Sequence, residues 1–220
     1  LTADAVAALV IFDCDGVIVD SEPLANAVLH ARLVALGLDL TLEESATRFT
    51  GRTMADCVTL IEGELGAKIP DDFVAAVRRE TKAAFDDGLT PVGGIVEVLA
   101  TLTTPFCLAS SGSHEKIRHS LRLTGTDRYF DGDRIFSAQD VAAGKPAPDL
   151  FLHAAASVGA PPARCVVVED SVPGVLAGVA AGMRVFGYAA RTPSRQLEAA
   201  GATVFESMDQ LPALLATGPR

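Results

Sequence analysis

The stretches Ala8-Leu9-Val10-Ile11-Phe12, Phe106-Cys107-Leu108-Ala109 and Cys165-Val166-Val167-Val168 are apolar at every position. Short, unbroken runs of this kind read as strands buried on both faces, which is the habit of parallel sheets. Two further strands are predicted at 183–188 and 202–205. Helical patterns follow the runs, at 114–123, from Leu150 through Phe151, Ala154 and Ala155, at 173–181 with Gly182 as a stop signal, and at 208–216. Between the first and second strands the period changes. Leu24, Val28, Leu29, Leu33 and Leu36 mark one face of a helix, and Met54, Val58, Ile61 and Leu65 mark another. Phe73, Val77, Ala84 and Phe85 mark one more, while Thr41-Leu42-Glu43-Glu44 has the form of a capping box. The expected architecture is α/β, a doubly wound parallel-sheet core formed by 1–20 and 88–220, interrupted by an α-helical insertion over 21–87.

In open parallel sheets ligands bind at the carboxyl ends of the strands, so the residues that end each run carry the chemical information. The first run ends in Asp13-Cys14-Asp15-Gly16. Alternation along an extended chain directs Asp13 and Asp15 to one side and Cys14 to the other, into packing. Two carboxylates this close are costly unless a cation lies between them or one keeps a proton. Both solutions serve phosphoryl transfer: an ionised Asp can attack phosphorus while a protonated one serves the leaving oxygen and later activates water. A carboxylate nearing a phosphate dianion is repelled by roughly 4 kcal/mol per charge pair at about 4 Å in an effective dielectric of about 20. Positive groups are therefore required.

The other runs end in groups of the needed kind. The second leads into Ser110-Ser111-Gly112-Ser113 ahead of a helix, where hydroxyls and unpaired N–H groups suit an anion. Lys145, in Gly144-Lys145-Pro146-Ala147-Pro148-Asp149, precedes a helix and offers a compact cation, with Pro148 suited to that helix's first turn. The third run ends in Glu169-Asp170-Ser171, so that Asp13 with one or both of these acids makes a ligand set for a hard divalent cation such as magnesium. Each segment alone also fits an acidic turn, a helix cap or a solvated lysine. Their recurrence at successive strand ends favours a single site.

Taken together, Asp13-Cys14-Asp15-Gly16-Val17, Ser110, Lys145 and Glu169-Asp170-Ser171 resemble, in order and spacing, the motifs of the haloacid dehalogenase-like hydrolase superfamily, and within it the β-phosphoglucomutase-like phosphatase branch. The likeness spans about residues 6 to 214. It implies a Rossmann-like core and makes the insertion a helical cap. It implies Asp13 as nucleophile, Asp15 as general acid/base, and Ser110 and Lys145 as the groups holding the phosphoryl group beside Ser111 and Gly112. Magnesium would be held by Asp13, the carbonyl of Asp15, Asp170 and Glu169. The loop around Phe49-Thr50-Gly51-Arg52-Thr53 would dip toward the substrate, with Arg52 a specificity contact and Glu22 a second one. Glu22 also suits the positive end of the first cap helix.

Departures from the mutase pattern favour hydrolysis. Sugar phosphomutases of the branch carry a cap His that restrains the acid/base and a cap Arg for the second phosphate, and Ala25 and Met54 stand in those places here. Asp15 disfavours dehalogenation, and the absence of Lys from 21 to 64 disfavours phosphonate hydrolysis. The expected activity is a magnesium-dependent phosphatase acting on a sugar or sugar-acid phosphate through an aspartyl-phosphate. The alternatives are a sugar phosphomutase and a non-catalytic binder of phosphorylated metabolites.

Composition narrows the partners. A formal net charge of −10 over 220 residues argues against nucleic acid and anionic membranes, and it requires a locally positive site. The four cysteines, Cys14, Cys57, Cys107 and Cys165, lack paired spacing and read as small buried thiols of a reducing cytoplasm. No apolar run approaches the roughly 20 residues that span a bilayer, and Leu1-Thr2-Ala3-Asp4 does not resemble a signal peptide. A cytoplasmic monomer is expected.

Overall fold

A computed structural model describes residues 7–50 and 52–216. The chain start and Gly51, both read above, fall outside the described residues. The chain runs from β1 (Leu9–Phe12) into four helices, α1 (Glu22–Ala35), α2 (Leu42–Phe49), α3 (Met54–Leu65) and α4 (Phe73–Gly88). It continues through α5 (Ile95–Thr101), β2 (Phe106–Ser110), α6 (His114–Thr124), β3 (Ile135–Ser137) and α7 (Asp149–Val158). The last elements are β4 (Cys165–Glu169), α8 (Val172–Ala180), β5 (Arg184–Tyr188), α9 (Ser194–Ala200), β6 (Thr203–Phe205) and α10 (Leu211–Ala216).

All neighbouring strands pair in parallel, in the order β3-β2-β1-β4-β5-β6. The fold is thus α/β and doubly wound, as the apolar runs predict. The strand order reverses beside β1, whose Ile11 is in register with Cys107 on one side and Val167 on the other. That reversal opens the crevice in which such sheets place their ligands. Every residue of β1 and β4 is buried, which explains their unbroken apolar composition. Leu9, Ile11, Cys107, Val167 and Val185 pack with Leu150, Phe151, Ala154 and Ala155 of α7 and Val175 of α8 on one face.

Three elements differ from the sequence expectation by addition. β3 has three residues, and α5 and α9 have seven each, too few for a period to show. β2 and β4 each extend one residue beyond their apolar runs, to Ser110 and Glu169, so these polar side chains stand on the strands themselves and are buried. Pro148 caps α7 rather than occupying its first turn, and the closing helix divides into a 3-10 turn, Met208–Gln210, and α10.

The chain divides into two compact units, one of residues 1–20 and 90–220 and one of Ser21–Leu89. The second unit has its own core, in which Leu29, Leu33, Phe49, Cys57, Ile61, Phe73 and Val77 pack together. α2 begins with the capping box read from sequence: Glu44 N donates to Thr41 Oγ1 at 3.2 Å and Thr41 N to Glu44 Oε2 at 2.7 Å. Arg32 pairs with Glu80 and ties α1 to α4. In the first unit the two chain connections run side by side, with Asp20 N donating to Thr90 O at 2.9 Å and Val92 N to Ile18 O at 3.0 Å. All four cysteines are free and buried.

Phe12 is fully buried and meets Phe106 edge-on at 6.0 Å between ring centroids. Phe12→Ala is expected to cost about 3–5 kcal/mol. Urea titration should show this as a lower midpoint with an unchanged slope.

Candidate active site

The end of β1 is held by the sheet ladder one residue beyond the strand, because Asp13 N donates to Val168 O at 2.9 Å. This fixes the Asp13 backbone between β2 and β4. Lys145 reaches the same point from the segment before α7. Its Nζ donates to Asp13 Oδ1 at 2.6 Å, to Glu169 Oε1 at 2.7 Å and to Ala109 O at 3.2 Å. Its three protons thereby join β1, β2 and β4. The ammonium also lies 4.8 Å from the Phe151 ring centroid, over an electron-rich face.

Burial pushes the Asp13 carboxyl up to about 7, because the neighbouring Lys145 only partly offsets desolvation and Glu169 adds repulsion. Lys145 moves the other way from a desolvated lysine. Burial would lower its proton affinity, but the charges of Asp13 and Glu169 prevail and raise it. The lysine is therefore cationic at neutral pH, and Asp13 holds a proton more tightly than a free carboxyl does.

Glu169 is held at both oxygens. While Oε1 receives Lys145, Oε2 accepts from Asp170 N at 2.9 Å, Ser171 N at 2.8 Å and Ser171 Oγ at 2.9 Å. Ser171 Oγ in turn accepts from Gly174 N at 3.1 Å and caps α8. Glycine at 174 leaves room for this carboxylate, since a Cβ there would lie 1.7 Å from Glu169 Oε1. Gly16 does the same for Asp170: its φ is +80° and a Cβ would lie 1.9 Å from Asp170 Oδ2. Asp13, Glu169 and Asp170, all buried, offer carboxylate oxygens within 4.8 Å of one another.

Ser110 is buried at the end of β2, and its Oγ accepts from Gly112 N at 3.1 Å. Ser137 Oγ donates to Gly112 O at 2.6 Å, so β3 steadies the corner that carries Ser111 and Gly112. Ser113 caps α6 by accepting from Lys116 N at 3.3 Å. Asp15 pairs with Lys116, whose Nζ donates to Asp15 Oδ2 at 2.6 Å.

Asp13, Lys145, Glu169 and Asp170 thus stand together, with Ala109, the residue before Ser110, bound to the same lysine. Glu22 and Arg52 belong to the helical unit, Glu22 at the start of α1 and Arg52 exposed beyond α2, where its Nε donates to Arg48 O at 2.7 Å. Lys116 escaped the sequence reading. A signal did exist: a cation in the first turn of a helix opposes the helix dipole and calls for an anionic partner.

The neighbouring parallel strands β1 and β4, whose ends collect these carboxylates around one buried lysine, place the candidate centre at the switch point of the sheet. The sequence profile of the haloacid dehalogenase-like hydrolases matches residues 7–182, and the chain belongs to that family. It is similar to the 6-phosphogluconate phosphatase of Escherichia coli K12, 32% identical over 93% of each chain. It is also similar to hexitol phosphatase A of the same organism, 30% identical over 91% of each. Among solved structures, a haloacid dehalogenase-like protein from Agrobacterium tumefaciens C58 shares 38% identity with a TM-score of 0.88, covering 96% of this chain and 98% of that one. A HAD family hydrolase from Deinococcus radiodurans R1, solved with bound phosphate and sodium, shares 34% identity with a TM-score of 0.84, covering 97% and 96%.

Removing the buried cation leaves two carboxylates uncompensated. Lys145→Met is expected to destabilise the protein by about 3–5 kcal/mol at neutral pH, read from urea midpoints with chelator present. In that variant folding raises carboxylate proton affinity further, so the native state binds more protons than the unfolded chain. Stability of the variant should fall as pH rises toward and through 7, and the deficit against the parent should shrink on acidification.

Proposed function

We propose that the protein is a magnesium-dependent phosphatase that hydrolyses small phosphorylated metabolites, of the sugar or sugar-acid phosphate class, through an aspartyl-phosphate on Asp13. The observation that carries this reading is the Asp13–Lys145–Glu169 chain of contacts at 2.6 and 2.7 Å, with Asp170 beside it, at the ends of β1 and β4. The names of the relatives, two phosphatases of phosphorylated carbohydrates or related acids, support the same class of substrate.

In this reading an Asp13 oxygen bonds to phosphorus while the bond to the ester oxygen breaks, and Asp15 gives the departing oxygen its proton. Water then attacks the aspartyl-phosphate, and its proton passes to Asp15. Lys145 keeps the Asp13 carboxylate aimed and offsets the negative charge gathered at the site. Ser110, Ser111 and Gly112, at a corner leading into a helix, hold phosphoryl oxygens through hydroxyl and N–H donors.

The donor set fits a hard divalent cation, being all oxygen and close-set, with glycines at 16 and 174 where any side chain would intrude. Asp13 and Asp170 would hold magnesium, joined by the carbonyl of Asp15. Glu169 would join them only by sharing an oxygen already bonded to Lys145 or to the α8 N-terminus. When bound, the ion would neutralise phosphate charge that the carboxylates would otherwise repel.

The helical unit, residues 21–89, serves as the substrate-selecting cap, with Arg52 and Glu22 as its specificity contacts. Arg52 suits an anionic or hydroxyl-rich leaving group. A panel of phosphate esters, assayed separately for released phosphate and for sugar isomerisation, tests the reading. Phosphate release without isomerisation is expected, and isomerisation with little free phosphate would replace hydrolysis by mutase chemistry. Asp13→Asn should abolish turnover with the fold retained by circular dichroism, and EDTA should abolish it until magnesium is restored.

A further inference from the structure

We propose that Lys116 is a positioning residue, which holds the Asp15 carboxylate in the orientation needed when water attacks the phosphorylated enzyme. The inference rests on the reading above, in which Asp13 carries the phosphoryl group and Asp15 handles protons.

The backbone of Asp15 is already fixed. It bridges to Val19, and the next residue's Gly16 N donates to Val19 O at 2.8 Å. Its side chain is not fixed by the buried lysine, because the three donors of Lys145 are committed to Asp13, Glu169 and Ala109. With 30% of the Asp15 side chain exposed and Asp13 two residues away, repulsion and rotamer entropy both favour turning outward. The 2.6 Å bond from Lys116 selects one orientation against them.

Lys116 is poorly explained by its own helix. It is the third residue of α6, where a cation opposes the dipole. Its side chain lies along the site corner, since a Cβ on Gly112 would meet Lys116 Cδ at 3.4 Å. Burial lowers its proton affinity, yet the Asp15 charge reverses this and raises it. What α6 loses locally is regained across 101 residues of sequence.

The step served is balanced within the enzyme. A water oxygen bonds to phosphorus as the bond from phosphorus to the Asp13 oxygen breaks, the water's proton passes to Asp15, and Asp13 is released as a carboxylate. Formation of the aspartyl-phosphate depends less on Asp15 when the leaving group departs without a proton, as p-nitrophenolate does.

The test uses p-nitrophenyl phosphate in magnesium buffer, with acid quench to trap phosphorylated enzyme, on the parent, K116M, K116R and D15N. K116M should lower kcat about tenfold, a fraction of the 10²–10⁴ that a placed general base contributes, with KM falling alongside it and kcat/KM within about twofold. It should give a burst of p-nitrophenol and accumulate phosphorylated enzyme, as D15N does. K116R, keeping the charge, should recover most of kcat. A K116M variant that folds but accumulates no phosphorylated enzyme while D15N does overturns the role of Lys116 and leaves the proposed function standing. The role is likewise overturned if K116M changes KM alone, or if K116R is as impaired as K116M. Failure to trap phosphate on D15N and K116M alike overturns both readings.

Discussion

One buried ammonium holds the centre of this molecule together. Without Lys145, the fold would bring Asp13 and Glu169 toward each other in a place that water does not reach, and the cost of two desolvated charges would oppose folding itself. With it, β1, β2 and β4 are tied at the ends where their ladders stop, by bonds of 2.6 to 3.2 Å to three separate strands. The same contact opposes the rise in proton affinity that burial imposes on Asp13, so one interaction bears on both the shape and the charge of the site. A buried ion pair is seldom a gain in stability over an apolar replacement. Its presence here is accounted for by chemistry.

The electrostatics divide into two tiers. The inner pair is closed, with the Lys145 side chain 5% exposed, and the outer pair of Lys116 and Asp15 is open, with Lys116 43% exposed. An inner tier so committed keeps its geometry during a reaction. An outer tier that exchanges with water at low cost suits a carboxylate that must take up and release a proton, because opening such a pair forfeits little. Within a chain of net charge −10, these two cations offset only part of the charge of Asp13, Asp15, Glu169 and Asp170, so the side chains leave the site acidic.

Much of this was legible in the sequence because burial on both faces leaves no freedom. A central parallel strand must be apolar throughout, so β1, β2 and β4 announce themselves, and the polar residue that ends each run, Asp13, Ser110 or Glu169, marks the ligand side of the sheet. The capping box at Thr41 and Glu44 is local chemistry and was equally plain. β3 was missed because three residues cannot show alternation. The double engagement of Glu169, with Lys145 at one oxygen and the start of α8 at the other, depends on side-chain direction, which spacing does not encode. Lys116 was missed because its reason for being there lies on a different element.

The paired connections at residues 18–20 and 90–92 have a further consequence. Since the chain departs and returns through neighbouring segments bonded to each other, the sheet sees the 69 residues between as a single surface attachment, whatever their length. The entropy of closing such a loop grows only logarithmically with its size. The inserted portion is therefore free to be lengthened, shortened or exchanged over evolutionary time with little penalty to the sheet. A scaffold of this design can acquire new preferences by swapping one module while its reactive groups stay untouched.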